Sequence, residues 1–337
     1  MRVRILGAGI IGLACADELR RRGHHVDVVD PAPASGASHA AAGMLSPAGE
    51  VWHGEPELFE LGSRSLALWP AYGARLGVSL QETGTLLVGV DAGDLQEVER
   101  RVDLLAGHGV VVRILGRRGV RAVEPRVTVR AAGGALLPDD HSVDPRAVMR
   151  ALRRRVRVRV RSTASGDADV TVVATGARLP QPFAHLVRGV RGEIVRARSA
   201  DPPRMTVRGA VRGEPVYVVP RPGGEVVIGA TSEEQDGDPR PTVGGVARLL
   251  QSARELVPGL ETAELVETLA RDRPGTRDNL PLVGPSGRDG VVLAAGHYRH
   301  GVLLAPLTAA LVADHLETGR VEPVLDPRRF ERSATCT

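Results

Sequence analysis

The sequence predicts an α/β fold in which parallel α/β segments at both ends of the chain are interrupted by a mostly antiparallel β-sheet. Three short apolar runs, residues 3–6, 170–175 and 291–294, have the composition of buried strands. Residues 186–230 alternate between apolar and polar side chains and contain frequent turns, as antiparallel strands do. A chain of 337 residues is too long for one ordinary core, so we expect two domains or one large domain with an insertion.

The N-terminal segment has the pattern of a βαβ unit. After the strand at 3–6, residues 10–22 are helical by period and end at Gly23, and strand 26–29 ends at Asp30. Residues 35–49 are rich in Gly, Ala and Ser and predict no clear element. The remaining predicted elements are helix 57–76, strand 81–90, helix 94–106, strand 110–115, helix 143–155, strand 156–161, hairpin strands 216–219 and 225–228, helix 242–257 and helix 303–316.

Every basic side chain is an arginine, because the 44 Lys+Arg residues include no lysine. This excludes a Schiff-base lysine, a phosphate-loop lysine and a Tyr–Lys dehydrogenase pair, and it leaves arginine to hold any anion. The densest basic run, residues 150–161, lacks interleaved aromatic residues, so we expect no nucleic-acid partner.

The cysteines and the apolar segments suggest a cytoplasmic protein. Cys15 and Cys336 lie far apart and have no metal-ligand spacing, so we expect no metal, no disulfide framework and a reducing cytoplasm. The apolar first residues contain three glycines and lead into a charged helix, which argues against a signal peptide. No apolar run is long enough to span a membrane, so we expect no membrane partner.

The turn after the first strand carries a three-glycine fingerprint for a dinucleotide. Gly7 permits the tight turn, Gly9 lets the backbone approach a pyrophosphate, and Gly12 lets the helix pack against the strand. The helix N-terminus at Ile10 offers free N–H groups to the phosphates. Asp30 is placed to accept hydrogen bonds from a ribose, and its charge disfavours a 2′-phosphate. The sequence therefore predicts a Rossmann-type domain with one dinucleotide site.

Several segments together extend this prediction. They are the three-glycine turn, residues 36–45, the hairpin 217–231, residues 273–278 and residues 294–301. With these segments the chain resembles, over nearly its whole length, the D-amino-acid oxidase superfamily of flavoproteins, and within it the glycine oxidases of thiamine biosynthesis. The resemblance implies a Rossmann-type FAD-binding domain, a mostly antiparallel substrate domain, and FAD held non-covalently, since neither cysteine matches an attachment site.

The resemblance also implies which residues contact FAD. Residues 40–44 lie along the flavin ring, and the helix after Gly301 points its N-terminus at the pyrimidine edge. A strand near 156–162 contacts the adenine, through Val158 or Val160. The implied cofactor residues are Gly7, Gly9, Ile10, Ile11, Gly12, Asp30, Pro31, Ala37, Ser38, Ala42, Gly43, Met44, Val160, Gly176, Gly296, His297, Tyr298, Arg299, His300, Gly301, Val302 and Leu303.

The implied substrate residues are Tyr217, Arg273 and Arg299, which would contact the carboxylate of a small amino acid. The implied activity is oxidative deamination: a hydride passes from the α-carbon to the flavin, oxygen yields hydrogen peroxide, and an imine is formed for the thiazole branch of thiamine biosynthesis. The family also suggests a homo-oligomer. We expect structural roles rather than acid–base or metal-binding roles for His297 and His300.

Three alternatives to a glycine oxidase stay open at this point. They are a D-amino-acid oxidase, a quinone-linked amino-acid dehydrogenase, and a flavin-binding protein without turnover. Pro215 and Ser232 stand where the glycine oxidase pattern has other residues, which leaves the preferred substrate open.

Two domains are expected, both discontinuous. Residues 1–80, 141–185 and 270–337 should form the FAD-binding domain. Residues 81–140 and 186–269 should form the substrate-binding domain.

Overall fold

Strands and helices alternate along most of the computed structural model, which describes residues 1–161, 167–235 and 237–332. The strands of the described residues, β1 to β17 in chain order, are Arg2–Leu6, His25–Val29, Met44–Leu45, Leu80–Gln81, Thr85–Gly89, Arg113–Gly116, Gly133–Leu137, His141–Val143, Val158–Arg159, Val170–Val173, Arg188–Arg198, Thr206–Val211, Glu214–Pro220, Glu225–Gly229, Glu264–Gly275, Leu282–Pro285 and Val291–Ala295. Their α-helices, α1 to α9, are Ile10–Arg21, Ala37–Ala40, Pro56–Leu76, Ala92–Gly107, Arg117–Val123, Pro145–Arg155, Val243–Leu256, Ala305–Thr318 and Arg329–Arg332. Short 3₁₀-helices lie at Phe183–Leu186, Pro222–Gly224, Pro258–Thr262, Tyr298–His300 and Pro323–Leu325.

A mainly parallel sheet combines strands from both ends of the chain. Over the described residues its order is β16-β17-β10-β1-β2-β9, and only β16 runs antiparallel to its neighbour. Leu6 is opposite both Val29 and Val173, so the carboxyl ends of the central strands lie at one edge. Helix α1 packs against α8 and α6. This arrangement confirms the predicted Rossmann-type fold.

A second, larger sheet is mostly antiparallel, as the alternating middle of the sequence predicts. Its order over the described residues is β15-β11-β14-β13-β12-β5-β7-β6, with β12 and β5 parallel. Strand β15 runs from Glu264 to Gly275, so the domain boundary that we drew at residue 270 falls inside a strand. The boundary was misplaced because no turn residue interrupts the chain there. Arg273 therefore belongs to the larger sheet.

A small three-stranded sheet and the long helix α3 fix the positions of two further segments of the chain. Strands β3 and β4 both pair with β8, which fixes Met44 opposite Ser142. Helix α3 is buried along one face, and its Ser65 Oγ and Trp69 Nε1 donate to the Leu303 carbonyl oxygen at 2.6 and 2.8 Å. These two bonds fix the chain just before α8.

Several elements differ at their ends from the sequence prediction. The strand expected at 81–90 is split, because Gly84 has φ +80° and turns the chain between β4 and β5. The strand expected at 156–161 pairs only over β9, with Val28 and Val29. The last helix starts at Ala305 rather than Leu303, because residues 301–304 form turns. Residues 35–49, predicted to form no element, contain α2 and β3.

None of the helices in the described part of the chain is long and apolar enough to cross a bilayer.

Candidate active site

One cavity of about 1580 Å³ runs from the carboxyl edge of the parallel sheet to the face of the larger sheet. This exceeds the roughly 300–1,000 Å³ typical of small-ligand pockets, and it leaves room for a dinucleotide with a small substrate. The predicted residues that line it are Gly7, Gly9, Ile10, Ile11, Asp30, Pro31, Ala37, Ser38, Ala42, Gly43, Met44, Gly176, Tyr217, Arg273, His297, Tyr298, Arg299, His300, Gly301, Val302 and Leu303. Three predicted cofactor residues, Gly12, Val160 and Gly296, do not line it.

The three-glycine turn has the geometry that the fingerprint predicts. Gly7 has φ +105°, and a Cβ there would overlap the Ala174 carbonyl oxygen of the neighbouring strand. A Cβ on Gly12 would overlap the Gly7 carbonyl oxygen, so Gly12 allows helix packing and is not itself part of the cavity wall. No side chain caps α1 at Gly9, although Ser38 Oγ accepts from Ile10 N at 3.1 Å. The helix N-terminus therefore faces the cavity, as phosphate binding requires.

Asp30 ends β2 beside this turn. Its carboxylate accepts hydrogen bonds from Ala8 N at 2.6 Å and Ala32 N at 2.8 Å, so it holds the glycine turn in place. The side chain is partly exposed and lines the cavity, which leaves it able to accept ribose hydroxyls as well.

Neither of the two adenine-contacting candidates lines the cavity. Val160 is 67% exposed and lies outside the cavity, because β9 ends at Arg159. Val158 packs against the core instead. Arg161 lines the cavity beyond this strand. Gly296 also lies outside the cavity wall. It packs against Thr276, because a Cβ on Gly296 would overlap the Thr276 side chain.

The walls between the nucleotide end and the larger sheet fit a flat cofactor. Gly43 has φ +77°, and a Cβ there would overlap the Val143 carbonyl oxygen, so the backbone of residues 42–44 is held close to β8. Thr175 Oγ1 is buried without a hydrogen-bond partner among the described residues, and a Cβ on Gly176 would meet open space. A buried hydroxyl without a partner is costly, and a polar ligand in the cavity would satisfy it. The residues present therefore fit a bound dinucleotide.

His297 and His300 lie on the segment that precedes α8, and both are buried. His297 Nε2 is 2.9 Å from Thr308 Oγ1, and Arg299 Nε donates to His300 Nε2 at 3.4 Å. Burial lowers the pKa of His297 to about 3 and that of His300 to about 4. Both rings are therefore neutral near pH 7, which supports the structural roles expected for them. The described residues contain no cluster of three or more potential metal ligands.

Tyr217 and Arg273 converge from two strands of the larger sheet. Tyr217 on β13 lies opposite Gly229 on β14, and a Cβ on Gly229 would overlap the tyrosine hydroxyl. Arg273 on β15 lies next to β11, where a Cβ on Gly192 would overlap the guanidinium. The two glycines therefore leave room for the side chains of Tyr217 and Arg273, which extend from the flanking strands β13 and β15 over the same face of the sheet.

The chemical state of this pair suits carboxylate binding. Arg273 donates to two backbone carbonyl oxygens, of Thr231 at 3.1 Å and Arg191 at 3.4 Å, and within the described residues it has no carboxylate partner. Burial raises the pKa of Tyr217, so its hydroxyl stays protonated and can donate. The guanidinium of Arg273 and the hydroxyl of Tyr217 therefore face the cavity together as two hydrogen-bond donors.

Arg299 is engaged by two acidic residues. Its Nε lies 3.0 Å from Glu50 Oε2, and its Nη2 lies 3.5 Å from Glu55 Oε2. Glu50 also forms an ion pair with Arg208. Burial alone would raise the pKa of Glu50, but Arg208 and Arg299 lower it to about 2. Glu50 is therefore ionised, and Arg299 is not free to bind a carboxylate without sharing these partners.

Glu50, Arg101, Arg208 and Arg271 are among the charged cavity residues that the sequence patterns do not indicate. Arg271 could have been found, because it lies two residues before Arg273 on a strand and so shares its face. Arg208 and Glu50 are separated by 158 positions, and no local pattern connects them.

Residues 2–315 match the family DAO, FAD dependent oxidoreductase, and the chain therefore belongs to this family of FAD-dependent enzymes. It is 34% identical to the glycine oxidase of Geobacillus kaustophilus over 97% of this chain and 95% of that protein. A crystal structure of glycine oxidase from Geobacillus kaustophilus matches with a TM-score of 0.88 at 33% identity, covering 97% of this chain and 99% of that one.

Two further relatives carry the name ThiO. The putative thiamine biosynthesis oxidoreductase ThiO of Rhizobium etli is 33% identical over 96% of this chain and 98% of that protein. The bifunctional protein ThiO/ThiG of Trichormus variabilis is 32% identical over 99% of this chain and 56% of that protein. The chain thus spans about half the length of the bifunctional relative.

Replacing Gly192 with alanine should weaken carboxylate binding without unfolding the protein. The new methyl group meets only the flexible end of Arg273, so the guanidinium is displaced while the sheet is retained. We expect KM for an amino-acid substrate to rise about tenfold or more, from the loss of a charge-assisted hydrogen bond. Gly107→Ala, at an exposed glycine with open space around it, should leave KM unchanged. An unchanged KM in Gly192→Ala would contradict this geometry.

The stability of the protein should fall below pH 6.5, in part through His297. Because its pKa of about 3 in the folded state lies below the ordinary 6.5, the unfolded chain takes up the proton first as the pH falls. The contribution of the neutral ring is complete above pH 6.5 and is lost progressively towards pH 3. In His297→Gln, the loss of unfolding free energy between pH 7.5 and 4.5 should shrink by about 2–3 kcal/mol.

Urea unfolding at the two pH values measures this change. His185→Gln, at an exposed ring, is the matched control and should behave as the wild type does. The same pH dependence in His297→Gln and the wild type would show that the ring is not buried in its neutral form.

Proposed function

We propose that this enzyme oxidises glycine or another small amino acid with FAD and oxygen, in the cytoplasm, to supply an imine for the thiazole branch of thiamine biosynthesis. The convergence of Tyr217 and Arg273 on one face of the cavity carries the proposal. A glycine oxidase and a putative thiamine biosynthesis oxidoreductase, each over 30% identical along almost the whole chain, support it. We further propose a homo-oligomer.

Arg273 and Tyr217 bind the substrate carboxylate in this proposal. The guanidinium has backbone oxygens as its only hydrogen-bond partners among the described residues, so an incoming carboxylate supplies the missing negative charge. The tyrosine hydroxyl donates to the same carboxylate. Two donors on a rigid sheet fix the orientation of a molecule as small as glycine, which is where most of the catalytic effect arises.

When bound, FAD accepts a hydride from the substrate α-carbon and passes the electrons to oxygen, which leaves an imine and hydrogen peroxide. The glycine turn and the α1 N-terminus would hold the phosphates, and residues 42–44 would give the flat ring a backbone surface. The segment 297–304 would lie at the edge of the ring, with Arg299 held beside it by Glu50. Glu50, with a pKa of about 2, stays ionised and is a poor general base.

A D-amino-acid oxidase or a quinone-linked dehydrogenase is the alternative on the same fold. Pro215 and Ser232 both line the cavity, so the departures from the glycine oxidase pattern lie where they affect substrate choice. These alternatives share the carboxylate site and differ in the preferred amine and in the electron acceptor.

Anaerobic titration of the FAD-loaded protein distinguishes these functions. Glycine should bleach the flavin absorbance, D-alanine should do so less efficiently, and readmitted oxygen should restore the colour with one equivalent of peroxide. Faster bleaching by D-alanine would favour a D-amino-acid oxidase. Bleaching that only a quinone reverses would favour the dehydrogenase. A protein that takes up no FAD, or whose flavin no amino acid reduces, would overturn the proposal.

Replacing Arg273 with alanine should lower kcat/KM for glycine by about a hundredfold or more. The expected loss is that of removing one partner from a buried charge pair. Arg277→Ala is the matched control, because Arg277 lies four residues away, is exposed and is outside the cavity. Both variants should bind FAD as the wild type does. Normal kinetics in Arg273→Ala would show that another group binds the carboxylate.

A further inference from the structure

Arg101 occupies a core-facing position on α4 although its side chain is charged. Asp94, Val98 and Leu105 lie on the same helix face by their spacing, and all three are buried. The neighbouring Arg100 points to solvent, where its side chain is 60% exposed and pairs with Glu97. Both arginines line the large cavity, but Arg101 is half-buried where Arg100 is exposed. A charged side chain at such a position is costly unless a partner or a ligand balances it.

The protein supplies Arg101 with no carboxylate. Its Nη1 donates to the Gly49 backbone carbonyl oxygen at 3.2 Å, and no ion pair of Arg101 exists among the described residues. Burial and the nearby charge of Arg208 lower its pKa to about 10, so it remains charged near neutral pH. Arg101 is therefore a half-buried cation that faces the cavity and forms no ion pair within the described residues.

The acidic residues around Arg101 are already engaged. Glu97, one turn earlier on α4, pairs with Arg100, and Glu50 pairs with Arg208 and Arg299. Arg101 donates to Gly49, the neighbour of Glu50, and Arg208 lies opposite Tyr217 on the adjacent strand. The Glu50–Arg208 ion pair therefore connects the surroundings of Arg101 with those of Tyr217. Among the described residues, Arg101 and Arg273 have no carboxylate partner, and both line the cavity that also contains Glu50.

We propose that Arg101 is a second anion-binding site at the substrate end of the cavity, so that the enzyme accepts amines that carry two carboxylates. One carboxylate binds Arg273 and Tyr217, and the other binds Arg101. The amine nitrogen between the two arms faces Glu50, which can accept its N–H. Iminodiacetate has this chemistry. As a statement about substrates, the proposal rests on the proposed amino-acid oxidation, whereas the anion site itself does not.

Sarcosine and iminodiacetate test the proposal as substrates, because they differ in one carboxylate. The wild type should turn over iminodiacetate with a kcat/KM about tenfold or more above that for sarcosine. In Arg101→Gln, which keeps a donor for the Gly49 carbonyl, the ratio should fall to about one. Arg113→Gln, at an exposed arginine outside the cavity, should keep the wild-type ratio. Arg101→Lys restores the charge and should recover part of the preference.

Two ligands that cannot be oxidised at an amine test the site without turnover. Titration calorimetry on the FAD-loaded protein should show that thiodiacetate binds about tenfold or more tightly than (methylthio)acetate, and that Arg101→Gln removes this difference. Should no amino acid reduce the flavin, the proposed function fails, but the calorimetry still decides on the anion site. Equal binding of the two ligands by the wild type, or an equal loss for both in Arg101→Gln, would overturn the second site.

Discussion

The parallel pairing of β1 with β10, and of β10 with β17, is the constraint on which the rest of the site depends. Parallel strands end at the same edge, so residues from the start, middle and end of the chain meet there. The approach is close: neither Gly7 nor Gly12 has room for a Cβ. Any side chain at these positions would separate the turn from the strands and from α1, and the wall of the nucleotide site would be lost.

In the larger sheet, glycines again leave room for a close approach, here of the two side chains that we propose bind the substrate. Gly192 and Gly229 leave gaps in the adjacent strands β11 and β14, and Arg273 and Tyr217 fill these gaps from the strands on either side, β15 and β13. A backbone held by hydrogen bonds on both sides orients the two donors more rigidly than a loop would. In the proposed function, a carboxylate bound by these two donors orients the α-carbon towards the cofactor without the help of a protein base.

Four of the arginines that line the cavity differ in whether a carboxylate pairs with them. Among the described residues, Arg208 pairs with Glu50 and Arg299 pairs with Glu50 and Glu55, whereas Arg101 and Arg273 form hydrogen bonds only to backbone oxygens. A chain without lysine cannot reduce this charge by deprotonation near neutral pH, because a guanidinium retains its proton. Anions must therefore come from the protein or from the ligand, and the unbalanced arginines mark where a ligand supplies them.

The sequence by itself determined the Rossmann-type fold, the glycine turn with Asp30, and, through the resemblance, Tyr217 and Arg273. These features depend on neighbours within a few residues: strand period, a helix start, and glycines that a tight turn requires. Only the tertiary structure decided that Val160 and Gly296 lie off the cavity, that β15 continues past residue 270, and that Arg299 is paired while Arg101 is not. Such pairings join residues more than a hundred positions apart, so local sequence patterns do not predict which arginine pairs with a carboxylate.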